Sequence, residues 1–119
     1  MKFKDNLPIY IQIINLIKKM IVSGDLKEGE KLQSVRELST EVKANPNTIQ
    51  RAYSELEREG LVFTQRGMGT FVSEDKNMIL KLKDDMATNM IKTFLSDIKS
   101  IGFKEEEIIE MISKSMEEE

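Results

Sequence analysis

Apolar residues recur along the first part of the chain at spacings of three and four. Ile9, Ile13, Leu16, Ile17, Met20 and Ile21 predict an amphipathic helix of about four turns. Pro8 stands at its opening, where proline is best tolerated, and Ser23-Gly24-Asp25 ends it. Leu26 to Leu32, with Gly29 between acidic neighbours, reads as a connector. Ser34-Val35-Arg36-Glu37 has the form of a capping box and opens a short second helix whose buried stripe is Val35, Leu38 and Val42. After the turn Lys43-Ala44-Asn45, Asn45 caps a third helix with Pro46 in its first turn. Ile49, Ala52, Tyr53 and Leu56 form its apolar face, and Gly60 stops it.

The period then shortens to two. Leu61 to Gln65 and Thr70 to Val72 predict two short strands around Arg66-Gly67-Met68-Gly69, whose glycines permit a tight hairpin. A two-stranded hairpin is not stable alone, so it must lie against the helices. From Ser73 the helical period returns. Met86, Ala87, Met90, Ile91, Phe94, Ile98 and Ile101 form one wide stripe. Gly102 breaks it, and Ile108, Ile109, Met111, Ile112 and Met116 form a second. Two helices joined by a tight turn cannot bury stripes that wide on each other, whereas two copies of the pair can. A stable interface of this kind buries about 800 Å² per partner. Met86, Met90, Ile91, Phe94, Ile98, Ile108 and Ile112 are therefore the expected dimer contacts, with a hinge near Ser73-Glu74-Asp75.

Composition removes several function classes. With no cysteine and no histidine among the 119 residues, there is no disulfide framework, thiolate nucleophile, Ser-His-Asp triad or imidazole metal site. Asp84-Asp85 and Glu105-Glu106-Glu107-Glu110 would suit only hard cations, and they read as solvated acidic residues complementing a helix start. No catalysis, metal or cofactor is expected. No apolar run approaches the roughly 20 residues of a membrane span, and the first residues lack the apolar stretch of a signal peptide. The expected setting is cytoplasmic, without a membrane partner. The net charge of −3 hides an asymmetry. Residues 1–73 carry 11 Lys/Arg against 9 Asp/Glu, net +2; residues 74–119 carry 7 against 12, net −5. The acid sits in the tail, and a nucleic-acid face needs only local positive charge.

The second and third helices, with a short turn between them, form a helix-turn-helix. In that motif the N-terminal part of the second helix meets base edges in the major groove. Here that part carries Asn45, Asn47, Thr48, Gln50 and Arg51. Asn and Gln pair bidentately with adenine, Arg pairs with guanine, and a Thr methyl touches the thymine methyl. Ser34 and Arg36 at the preceding helix start suit a phosphate or groove edge. The hairpin tip, Gln65-Arg66-Gly67, suits phosphate or the minor groove. Asn45 and Ser34 also serve as caps. Tyr10 and Tyr53 read as core residues whose hydroxyls need partners, and the eight methionines as adaptable interface packing.

The segments Pro8-Ile9-Tyr10, Gly29-Glu30-Lys31-Leu32, Ser34-Val35-Arg36-Glu37-Leu38, Asn45-Pro46-Asn47-Thr48-Ile49, Arg51-Ala52-Tyr53, Leu56-Glu57-Arg58-Glu59-Gly60-Leu61 and Arg66-Gly67-Met68-Gly69-Thr70-Phe71-Val72 stand in one order and spacing. In these, residues 7–74 resemble the GntR family of bacterial transcription regulators. The resemblance implies a winged helix-turn-helix, with DNA contacts carried over to Ser34, Arg36, Thr48 and Arg66-Gly67. The short helical tail resembles the YtrA type of that family. That type dimerises through C-terminal helices and often represses operons for ABC transporters. Pro46 and Gln50 stand where many relatives have arginine, which implies a site richer in A/T.

The expected fold class is mainly α with a small β-hairpin. Residues 1–74 form a winged helix-turn-helix domain and 75–119 a two-helix C-terminal dimerisation appendage. The expected function is that of a homodimeric repressor binding a palindromic double-stranded DNA operator. A winged-helix module that binds protein instead is the alternative. A small-molecule effector seated between the methionine-lined helices of two protomers stays open.

Overall fold

The computed structural model describes residues 2–119. The elements are α1 (Ile9–Ser23), α2 (Val35–Val42), α3 (Pro46–Arg58), β1 (Val62–Gln65), β2 (Gly69–Val72), α4 (Lys76–Ser100) and α5 (Glu105–Glu117). They group into two compact units, one ending at Leu82 and the other Lys83–Glu119.

In the first unit, α3 packs against both α1 and α2. Its apolar face is the one the spacing predicts: Ile49, Ala52, Tyr53 and Leu56 are buried. They meet Ile13, Ile17 and Ile21 of α1 and Leu38 and Val42 of α2 in one core, closed by Leu61, Val62 and Val72 of the hairpin. The buried face of α1 is shifted from the predicted stripe. Ile9 is 41% exposed, while Ile14 and Gln12 are buried. Gln12 is tolerated inside because its amide is fully engaged. Its Oε1 accepts from the Lys4 amide at 2.8 Å, and its Nε2 donates to the carbonyls of Lys4 and Leu7 at 2.8 and 2.9 Å. The N-terminal segment is thereby fastened across the helix.

β1 and β2 pair antiparallel, with Val62 opposite Val72 and Gln65 opposite Gly69. The connector before α2 runs along the free edge of β2. Leu32 donates to Thr70, Val72 to Glu30, and Gly29 to Val72, all within 2.9 Å. A segment that reads as a turn in the sequence therefore acts as a third edge, which supplies the support a lone hairpin lacks.

Ser73-Glu74-Asp75 is not the free hinge expected. Ser73 is buried, its amide donates to the Leu61 carbonyl at 2.9 Å, and its hydroxyl accepts from the Asp75 amide at 3.1 Å. Met78, Ile79 and Leu82 at the start of α4 pack against the winged core, so this unit extends beyond residue 74. In the second unit, α4 ends at the turn Ile101-Gly102 and α5 begins at Glu105. The Lys104 amide donates to the Glu107 carboxylate at 3.0 Å, and three glutamates complement the α5 dipole in its first turn.

Candidate nucleic-acid interface

The helix-turn-helix is held by local hydrogen bonds that the sequence encodes. At the start of α2 the Ser34 hydroxyl accepts from the Glu37 amide and the Glu37 carboxylate accepts from the Ser34 amide, both at 3.0 Å. These bonds to the charged form hold the Glu37 carboxyl below the usual carboxylate range. The α2–α3 turn is closed by the left-handed Lys43 (φ 58°) and by the Ser39 hydroxyl donating to the Ala44 carbonyl. Asn45 Oδ1 then accepts from the Asn47 amide at 2.8 Å. That cap engages the side-chain oxygen of Asn45, a residue that is otherwise exposed.

Burial of the opposite face turns the polar residues of α3 outward. Asn45, Asn47, Gln50 and Arg51 are exposed, and Thr48 is half-buried. Ser34, Arg36, Gln65, Arg66 and Gly67 are exposed as well. The structure sorts these residues onto two flanks of α3. On one flank Ser34, Gln50, Gln65 and Gly67 share a hollow of about 390 Å³ with Lys31, Gln33, Tyr53 and Thr64. On the other, Asn47, Thr48 and Arg51 border a second open hollow with Ile9 and Tyr10 of α1. Arg36, Asn45 and Arg66 border neither.

Hydrogen bonds hold the wing and the connector before α2 against α3. Glu57 of α3 accepts from the Thr64 hydroxyl at 3.0 Å and from its amide at 3.3 Å, tying β1 to the helix. Gln50 Nε2 donates to Ser54 at 3.2 Å. Tyr53 is buried as expected, and its hydroxyl donates to the Gln33 carbonyl at 2.7 Å, joining α3 to the connector before α2. Burial, with the Glu37 charge nearby, pushes the Tyr53 hydroxyl up to about 12.

Sequence reasoning missed Lys31, Gln33 and Tyr10. Lys31 faces β2 through an isolated bridge to Phe71, which brings its side chain over Gly69 at the wing. The polar–apolar–polar order of Lys31, Leu32 and Gln33 is the signal the sequence carries, and the structure exposes, buries and exposes them in turn. Tyr10 is not a core residue. It is half-buried at the edge of α1, and the Arg51 guanidinium lies 3.7 Å above its ring centre. Nothing in a linear pattern pairs residues 41 positions apart. Among the described residues no cluster of acidic side chains has the arrangement of a metal site, and no helix is long and apolar enough to cross a membrane.

A helix-turn-helix with a glycine-tipped hairpin packed beside it defines a winged-helix DNA-binding fold. The chain belongs to the gntR family of bacterial regulatory proteins, whose profile its residues 9–72 match. Members of this family are transcriptional regulators, not enzymes. The chain is 43% identical over 111 residues to the uncharacterized HTH-type transcriptional regulator YhcF of Bacillus subtilis, covering 93% of this chain and 92% of that protein. It is 42% identical over 112 residues to the HTH-type transcriptional repressor YtrA of the same organism, covering 93% and 86%. Among solved structures, a GntR family transcriptional regulator from Listeria monocytogenes superposes with a TM-score of 0.87 at 44% identity, over 94% of this chain and 98% of that one. The DNA-binding domain of AraR in complex with operator ORX1 superposes with a TM-score of 0.57 at 28% identity, over 60% of this chain and 93% of that one.

Proposed function

We propose that the chain acts as a homodimeric repressor on a palindromic operator, of a transporter operon by its likeness to the YtrA type. One observation carries this reading. The leading half of α3 presents Asn47, Thr48, Gln50 and Arg51 outward from a helix whose other face is locked in the core. That is the layout of a helix that enters a major groove. Asn45, beside its cap role, offers its amide nitrogen to the same groove. Ser34 and Arg36 at the start of α2 and Gln65, Arg66 and Gly67 at the hairpin tip would flank the groove and contact phosphate or the minor groove.

The dimer would form through residues 83–119, where Met90, Ile91, Phe94 and Ile112 are exposed in the single chain, as are Ile101, Ile109, Met111 and Met116. Met86 and Ile98 are half-buried beside that face. Ile108 differs from these residues. It is 1% exposed within its own chain, so it anchors the helix pair from inside. Two recognition helices would then meet half-sites about 34 Å apart. An effector, where one acts, would sit between the two copies' tails.

Mobility shift with a salt titration tests the contacts. Arg36→Ala and Arg66→Ala should each weaken binding and lower the salt slope by about one. Gln50→Ala should change sequence preference with little change in slope. Unchanged slopes in both arginine variants would remove the contact assignment.

A further inference from the structure

Arg51 is the one cation on the outward half of α3, and its side chain is not left to rotate in solvent. Its guanidinium carbon lies 3.7 Å above the centre of the Tyr10 ring. At that distance the cation is drawn to the ring face, the contact arginine favours over an aromatic side chain. The N–H donors of a guanidinium lie in its own plane, so contact with a ring face leaves them for other partners. Ring and guanidinium belong to helices that share the core, so the pair has a rigid base. Tyr10 itself is half-buried against that core, which fixes its ring before any ligand arrives. Arg51 lies on the α1 flank with Asn47 and Thr48, opposite the wing hollow that holds Gln50. Leaning onto α1, the Arg51 guanidinium stands at the border of the outward face of α3, where contacts to phosphate position a helix in its groove.

Resting on the DNA-binding reading above, we infer that Tyr10 is a positioning residue that holds the Arg51 guanidinium over its ring and presents the in-plane donors to a DNA backbone phosphate at the edge of the groove. An arginine already fixed in its bound rotamer loses less side-chain entropy on binding than a free one. The α1 helix thereby shares in recognition without its own side chain touching a base.

The test uses the full-length protein and a 30-base-pair duplex enriched from a random pool by the wild-type chain. Tyr10→Leu removes the ring and keeps apolar bulk; it should weaken binding about three- to fivefold, the size of an exposed cation–π contact. Arg51→Ala should weaken binding further and lower the salt slope by about one. In the Arg51→Ala background, Tyr10→Leu should cost nothing more. Tyr10→Phe, which keeps the ring, should restore affinity and slope. Thermal midpoints of the variants, measured alongside, separate this coupling from a general loss of fold, because a destabilised domain would weaken binding in both backgrounds alike. Additive effects of Tyr10→Leu and Arg51→Ala, or a Tyr10→Phe protein as weak as Tyr10→Leu, would overturn the role of Tyr10 while leaving DNA binding intact. A pool that yields no enriched duplex overturns both readings.

Discussion

Two residues show how much of the interface depends on polar groups with assigned partners. Tyr53 spends its ring on the core and its hydroxyl on the Gln33 carbonyl. Because burial raises its hydroxyl from 10.0 to about 12, the neutral form is the one the fold favours. The sign follows from linkage. The unfolded chain releases this proton near pH 10, so the contribution of Tyr53 is complete below that pH and is lost as pH rises toward 12. Denaturant unfolding at pH 9 and pH 11.5 should therefore show a steeper alkaline loss in the wild type than in Tyr53→Phe. At pH 7 the same variant should cost about 0.5–1.5 kcal/mol for the hydrogen bond. Equal alkaline slopes in the two proteins would mean that the hydroxyl does not titrate with folding. Asn45 commits its side-chain oxygen to the cap of α3. Asn45→Ser, which keeps a cap acceptor, should retain stability within a few tenths of the wild type, while Asn45→Ala should cost about 1 kcal/mol by thermal unfolding.

At the scale of elements, the helices were legible in the sequence because their signals are local. The capping box at Ser34 and Glu37, the Asn45-Pro46 start and the Ile49-Ala52-Tyr53-Leu56 face each lie within one or two turns, and the structure places all of them as read. The exposed face of α3 follows from the same pattern. The misreadings have a common cause, which is contact between distant segments. The connector before α2 pairs with β2 across about 40 residues, and α1 turns Gln12 inward to hold Lys4 and Leu7. Neither leaves a periodic trace. The wing shows the consequence. Gly67 (φ 81°) and Gly69 (φ 125°) both occupy the region that disfavours side chains, but their surroundings differ. A Cβ on Gly67 meets open space, whereas one on Gly69 would stand 2.6 Å from Lys31 Cε. Gly67→Ala should cost about 1–2 kcal/mol of backbone strain and no more. Gly69→Ala should add displacement of Lys31 from the wing, and so weaken DNA binding more than Gly67→Ala at equal fraction folded. Mobility shift beside chemical denaturation checks the order of the two, and the reverse order would place Lys31 outside the interface.

For the whole molecule, the outstanding quantity is apolar surface without a partner. Residues 83–119 expose Met90 and Ile91 at 58%, Phe94 at 43%, Ile109 at 65% and Met116 at 74%, in a segment whose buried interior among the described residues is Ile108. A monomer seldom leaves contiguous apolar side chains of this number in water. Pairing of two tails would cover them and fix the distance between two recognition helices. Operator affinity should then depend on the tail as well as on the recognition helices. With both half-sites on one dimer, the second binding event is intramolecular, at an effective concentration in the millimolar range for a short connection. Ile91→Glu with Phe94→Glu places four buried charges, two per copy, in the proposed interface. The pair should convert a dimer to a monomer in sedimentation equilibrium and lower operator affinity by about a hundredfold or more. Helix content and the unfolding of the winged unit should stay unchanged, because both residues belong to the other compact unit. Ile108→Ala should behave in the opposite way. It removes a side chain buried inside one chain and should cost about 2–5 kcal/mol of the tail's own stability before it affects association. A double-glutamate protein that sediments as a dimer would show that these helices are not where the copies meet, and the spacing of the two recognition helices would need another origin.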